Sequence, residues 1–316
     1  MTKQDMVHAI ERKPTTTVLL PRLPIFLPTF RPATRVGEWV DTPAGRCRVR
    51  GRLGQRHETL LEAICRYYTR RHVIPGEPAP EVDVLVDPAD LRRALAGREG
   101  GWYSYQQMRA LVSDLLTTEI EIDTTRHGQH ILVHGALVST FTEYRDFALR
   151  NPMGGDRHPL RVRLGVAYTL LAGVDIPRFW DPAAFRNLRS GVGQAVARWL
   201  WTQDAGRVPR GGWHLDTLIR AVHGDAAITS IALRHRRREL RGEVQELAAL
   251  GITITRADRV LYDGRLAARG EGLQHPPGDP AWPVETCSTR PVACSTRPVA
   301  CSTRPVEWQN VQHPPS

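Results

Sequence analysis

The sequence predicts an α+β fold in which one plan, three helices followed by a β-hairpin, is used twice. Three observations predict it. Residues 227–251 read as a long arginine-rich helix, with a short helix before it and two alternating stretches, 252–256 and 260–262, after it. Upstream, 57–69, 88–95 and 103–117 carry helical spacing, and 119–123 with 130–134 alternate like paired strands. The chain of 316 residues has 43 Lys+Arg against 33 Asp+Glu, a net charge of +10, and is long enough for two cores. Such a balance, carried mostly by arginine, suits an acidic polymer as partner.

Residues 1–45 are expected to be irregular. Within them 18–30 are apolar but interrupted by Pro21, Pro24 and Pro28, which argues for an extended segment rather than a helix. Its Arg22-Leu23-Pro24-Ile25-Phe26 loosely resembles the Gln-Leu-x-Leu-Phe peptides that dock on the bacterial sliding clamp. The competing expectation is that it packs along the first domain.

The first domain is placed at 46–150. Residues 47–50 are a candidate strand, and 57–69 a helix with Leu60, Leu61, Ile64 and Tyr68 on one side. Strand 82–86 leads to Asp87, a cap, and Pro88 at a favoured first helical position. In 103–117, Met108, Leu111, Val112 and Leu115 form the buried stripe, while Ser104, Gln106, Gln107 and Arg109 are polar near the start. These four are the candidate DNA contacts of this domain, with Ser104 also the expected N-cap. Glu119 and Glu121 on the next strand would repel phosphate, so weaker or backbone-directed contact is expected here. His127, His130 and His134 invite a metal, but no carboxylate or cysteine accompanies them at ligand spacing, so none is expected.

The second domain is placed at 151–267. It opens with strand 160–164 and helix 165–173, then a link near 179–182. Helix 191–201 offers Val192, Val196, Trp199 and Leu200 to a core, and 207–212 make a flexible bridge. A short helix, 213–222, carries Leu218, Ile219 and Val222, and a turn at 223–225 leads into the long helix. There Thr229 or Ser230 can cap the start and Gly251 the end. Leu233, Leu240, Val244 and Leu247 form an apolar stripe. Arg234, Arg237, Arg238 and Arg241 form a second face, with Ser230 and Arg236 beside it, and Glu239, Glu243 and Glu246 a third. Read as one helix, 227–251 has its arginines at the positive end of the macrodipole, an arrangement that suits phosphate binding better than stability. Helix, turn, longer basic helix, hairpin is the plan of a winged helix, whose second helix enters a major groove while its hairpin touches the flanking backbone.

The tail, 268–316, is rich in Gly, Pro and His and is expected to be disordered. Residues 287–293, Cys-Ser-Thr-Arg-Pro-Val-Ala, recur at 294–300 and, with the last residue changed, at 301–307. One proline per seven residues excludes helix and sheet. A heptapeptide is encoded by about 21 nucleotides, about two turns of B-DNA, which places successive sites on one face of the duplex. The repeat is read either as an array of sites that matters at the DNA level or as slippage expansion of a neutral tail or linker; identical codons in each copy would favour the first. Five cysteines, three of them in this tail, suggest no disulfide framework or zinc site, and no apolar run reaches membrane length. A cytoplasmic protein is expected.

The block from Leu215-Asp-Thr-Leu through Arg234-His-Arg-Arg-Arg-Glu-Leu-Arg241 to Glu246-Leu-Ala-Ala-Leu-Gly-Ile-Thr253 resembles the iteron-binding replication initiators of plasmids, the IncQ type most of all. Weaker likeness covers 160–173 and 82–123, so the resemblance spans roughly residues 50–265. It implies tandem winged helices that bind direct repeats at an origin, open AT-rich DNA and recruit host or plasmid replication proteins such as the helicase. It further implies that Arg234, Arg237, Arg238 and Arg241 read or clamp the DNA, that Arg256 and Arg259 hold phosphates, and that the protein forms repressive homodimers. No His-hydrophobic-His pair of a rolling-circle nickase and no phosphate-binding Gly-x-x-x-x-Gly-Lys-Ser/Thr loop occurs, so neither an enzyme activity nor a cofactor is expected. The rival function is a transcriptional regulator or autorepressor on the same fold.

Overall fold

A computed structural model describes residues 15–66, 82–96, 103–126, 128–143, 158–175, 177–180, 182–203, 209–224 and 228–264. The chain divides into two units, 1–272 and 273–316, and all described residues belong to the first. Tyr68, His127, Arg207 and the heptapeptide tail lie outside them. Helices and strands are mixed, as an α+β fold requires. In order they are β1 (Thr15–Thr17), α1 (Leu19–Arg22), β2 (Arg35–Thr42), β3 (Gly45–Gly51), α2 (Gln55–Cys65), β4 (Val82–Val86), α3 (Pro88–Leu95), α4 (Tyr105–Thr117), β5 (Glu119–Arg126), β6 (Gln129–Gly135), β7 (Val138–Glu143), β8 (Leu160–Leu164), α5 (Val166–Val174), β9 (Pro177–Phe179), a 3-10 turn (Pro182–Asn187), α6 (Gly191–Trp201), β10 (Trp213–His214), α7 (Leu215–His223), α8 (Ser230–Arg241), α9 (Val244–Ala249), β11 (Ile252–Ile254) and β12 (Arg259–Tyr262).

Two hydrophobic cores form. The first gathers α1, α2, α3, α4 and α5 against the sheets β2-β3-β5-β6 and β4-β8-β7. The second gathers Trp180, Phe185, α6, α7, α8, α9 and the sheet β10-β12-β11. The expected boundary at 150/151 is therefore misplaced. β8 pairs with both β4 and β7, and Leu160, Val162, Leu164, Tyr168 and Leu171 are buried in the first core. The reason is pairing: β8 is the central strand of its sheet, and β7, which the alternation did not reveal, is its neighbour.

The N-terminal segment also departs from expectation. Leu19–Arg22 make one helical turn, because Pro21 sits so near its start that no interior hydrogen bond is lost. Leu23, Ile25 and Phe26 are then buried at 2%, 0% and 4% exposure. The Leu19 amide donates to Asp175 at 2.6 Å, and the Arg22 Nε donates to the Thr202 hydroxyl at 3.0 Å. The apolar anchors of the clamp-like peptide are thus core residues of this fold and not a free docking peptide. Residues 35–42, expected to be irregular, are strand β2.

Helix α2 is enclosed on nearly all sides, with every residue except Arg56 buried. That leaves polar Gln55, Glu58, Thr59 and Glu62 without water, so each must find a partner. Arg198 on α6 supplies most of them. Its guanidinium, fully buried, donates to Glu62 at 2.8 and 2.9 Å, to Gln55 at 2.8 Å and to Thr59 at 2.9 Å, and lies 4.6 Å from the Phe185 ring centre. Trp180 Nε1 donates to the same Glu62 at 3.1 Å. This network joins the first core to the second.

Glu58 stands at its edge, 3.9 Å from Arg198, with one carboxyl oxygen unpartnered. Burial pushes its carboxyl up to about 7 against the pull of Arg198. A carboxyl raised in the folded state holds its proton there after the unfolded chain has lost it. The stability it contributes is complete below about pH 4.5 and is lost as pH rises through about 7. Glu58→Gln, neutral at every pH, is expected to flatten the fall in stability between about pH 5 and 8 measured by chemical denaturation. An unchanged slope would refute this.

Candidate nucleic-acid interface

The second core presents the arginine-bearing helix. Leu215, Leu218, Ile219 and Val222 recur at helical spacing and bury one face of α7. Gly224 ends that helix in the left-handed region at φ 80°, where a side chain would also collide with Pro24. Thr229 caps α8 by accepting from the Ala232 amide at 3.2 Å, and Leu233 and Leu240 pack inward.

The long helix expected over 227–251 is broken. α8 ends at Arg241, and Gly242 and Glu243 form the joint to α9. The sequence pattern places Glu243 on an acidic third face, apart from the apolar stripe. Instead it is 4% exposed and accepts from the Ser190 amide at 2.5 Å and the Ser190 hydroxyl at 3.0 Å, at the N-terminus of α6. Burial raises its carboxyl above the usual range, opposed by those Ser190 hydrogen bonds. The break also turns Val244, expected in the apolar stripe, to 40% exposure. It removes the dipole argument as well: Arg238 and Arg241 occupy the last turn of α8, where cations are favoured.

The four arginines divide into two pairs. Arg237 donates through both Nε and Nη2 to the carboxylate of Asp216 on α7, which holds that carboxyl below its ordinary value. Arg241 donates to Asp258 at 2.5 Å, in the turn between β11 and β12. Asp258 occupies the left-handed region at φ 55°, and the turn is closed by Thr255 N to Arg259 O at 2.8 Å. Helix, preceding helix and hairpin are therefore tied together by two arginines. Arg234 and Arg238, one turn apart, are exposed and have no ion-pair partner among the described residues. Arg236 is tied to Glu239 at 2.8 Å. Ser230 is exposed at the helix start. Arg256 is exposed at the hairpin tip, whereas Arg259 is partly buried and donates to the Gly212 carbonyl at 3.4 Å. Asp216 and Asp258 are the residues that sequence reading missed; an acid in the preceding helix gives no signal without the fold.

The first core repeats the order of helices and hairpin with different chemistry. Ser104 and Gln107 form a reciprocal cap of α4, at 3.0 and 2.9 Å, which occupies two of the four candidate contacts. Gln106 is exposed, and Arg109 is exposed with its guanidinium 5.7 Å from the Tyr105 ring centre. The β5–β6 hairpin does not project alone, because β3 and β2 extend it into a four-stranded sheet. On the outer face Arg46, Arg48 and Arg50 pair with Asp123, Glu121 and Glu119 at 2.7, 2.5 and 2.9 Å. The acids expected to repel phosphate are thus already neutralised by arginines of β3. The same register corrects the histidine reading for the two described histidines: carboxylates do lie beside His130 and His134, since Glu121 faces His134, His130 meets Asp123 at 2.7 Å, and His134 meets Glu119. Glu119, Glu121 and His134 could together reach one ion. Their carboxylates are, however, engaged by Arg50 and Arg48.

Among the described residues no helix is long and apolar enough to cross a membrane. No family model and no curated protein matches the sequence. The similar solved structures include two of domains 2 and 3 of RctB. A selenomethionine derivative is 10% identical, with 75% of this chain and 91% of that chain covered at a TM-score of 0.44. A second, of RctB residues 155–483, is 10% identical, with 74% and 86% covered at a TM-score of 0.40.

Proposed function

We propose that the chain is a sequence-specific DNA-binding replication initiator built on two tandem winged-helix units. In this reading α8 enters the major groove of directly repeated origin sequences, and the β11–β12 hairpin lies along the adjacent backbone. The first unit makes weaker DNA contacts and offers a surface for a second copy of the chain. The observation that carries the DNA-reading role is the outward face of α8: two unpaired, exposed arginines on a helix tied to its neighbours by Arg237–Asp216 and Arg241–Asp258. Such a helix presents donors to guanine edges with little freedom left to lose on binding. The step from DNA binding to initiation is supported by the likeness of residues 215–253 to iteron-binding plasmid initiators, whose partners include the replicative helicase. Action in the cytoplasm, without catalysis or cofactor, belongs to the same reading.

A replication-deficient vector carrying the gene and its flanking DNA tests it. Maintenance of that vector, lost with a frameshift in the gene, is the expected result. Purified protein should leave supercoiled origin DNA covalently closed in the presence of divalent metal. Sequence-specific binding without maintenance would replace the initiator by a regulator, and a site-specific nick would overturn the non-catalytic reading.

A further inference from the structure

Helix α8 carries one residue that its fold does not use. Ile231 is 76% exposed, in the first turn, beyond the Thr229 cap. At about 100° per residue it lies roughly 160–180° from Leu233 and Leu240, the residues that seat the helix, so it marks the outermost line of α8. Arg238 lies about 20° from that line, His235 about 40° and Arg234 about 60°. All three are exposed. An aliphatic side chain is thus held at the crest of a cationic face, where water solvates the arginines and only the isoleucine gains by leaving water.

From this we infer that Ile231 is a specificity-determining residue that packs on the 5-methyl group of a thymine. The inference rests on the DNA-reading role proposed above. The chemistry selects the ligand: among the groups on major-groove base edges, the thymine methyl alone is apolar, while Arg234 and Arg238 suit the acceptors of a neighbouring guanine. A side chain on the crest of a groove-bound helix reaches the base edges before those at its flanks. The site is therefore expected to place a thymine beside one or two guanines within one half-turn of duplex.

The test uses the full chain and duplexes enriched by its own selection from random-sequence DNA. Each thymine of the enriched sequence is replaced in turn by deoxyuridine, which removes one methyl and leaves pairing intact. For the wild type, one or two of these replacements should weaken binding about fourfold, the loss expected for one buried methyl group. Ile231→Ala should bind the thymine duplex correspondingly more weakly, melt at the wild-type temperature because the side chain is exposed, and no longer distinguish thymine from deoxyuridine. Indifference of the wild type to every replacement, or equal discrimination by Ile231→Ala, would overturn the inference while leaving the DNA-reading role intact. If selection enriches no sequence at all, the reading of DNA by α8 fails and this assignment fails with it.

Discussion

Replacing Arg198 by alanine is expected to cost about 3–5 kcal/mol of folding stability, the usual penalty for leaving buried charge without its partner. The substitution strands Glu62 at 3% exposure and removes the donors that satisfy Gln55 and Thr59. Because Arg198 belongs to α6 and Gln55, Thr59 and Glu62 to α2, the damage falls mainly between the two cores rather than within either. If the wild type unfolds in one cooperative transition, chemical denaturation of the variant should show it moved to lower denaturant and separated into two. Arg198→Lys is expected to recover little, since one ammonium cannot replace a planar fork that meets Glu62 through two nitrogens. Wild-type stability of Arg198→Ala would show that the network contributes nothing net.

Removing both unpaired arginines, Arg234→Ala with Arg238→Ala, is expected to lower affinity for the selected DNA site about 30-fold or more, taking at least about 1 kcal/mol for each base contact. Melting should be unchanged, since both side chains are exposed and hold nothing in place. If the pair contacts phosphate instead, affinity should fall on all sequences and the salt slope should shrink by about two. Arg237→Ala behaves differently. Its ion pair with Asp216 is about one-third exposed on each side, so its loss costs the fold about 0.2–1 kcal/mol and frees α8 to shift against α7. Unaltered binding by the double variant would remove α8 from the interface.

Much of this was legible from residue pattern. Asp87 before Pro88 and Ser104 each marked a helix start, and of the two candidates Thr229 and Ser230 it is Thr229 that caps α8, because capping is local chemistry. Of the periodic residues, Leu60, Leu61, Ile64, Met108, Val112, Leu115, Leu218, Ile219 and Val222 are buried in the cores and Leu111 partly so, while Tyr68 lies outside the described residues. What failed was non-local. The break at Gly242–Glu243 comes from Ser190, more than fifty residues away, which draws Glu243 inward. The pairing of Arg46, Arg48 and Arg50 with the acids of β5 depends on a strand register that spacing along the chain does not reveal. The arginine face could be listed from sequence but not sorted, because the sorting is done by Asp216 and Asp258. One signal was present and went unread: Arg198 is the single charge in an otherwise apolar helix, a position that can be stable only with a buried partner.

The Arg198 network also bears on how this protein can be altered by recombination. A module that reads DNA is most easily exchanged between relatives when it meets the rest of the chain through a small, generic seam. Here the seam is a fully buried guanidinium that, apart from Gln194 on its own helix, donates to acceptors on α2 among the described residues, so a transplanted second half would arrive without Gln55, Thr59 and Glu62. Hybrids cut between 180 and 190 should be recovered only when α2 comes from the same parent as α6. Ile231, Arg234 and Arg238 on the outward side of α8, by contrast, are exposed and have no ion-pair partner among the described residues. On the proposed DNA-reading role, new DNA preferences would be open to single substitutions at Ile231, Arg234 and Arg238, while the body that carries them is inherited whole.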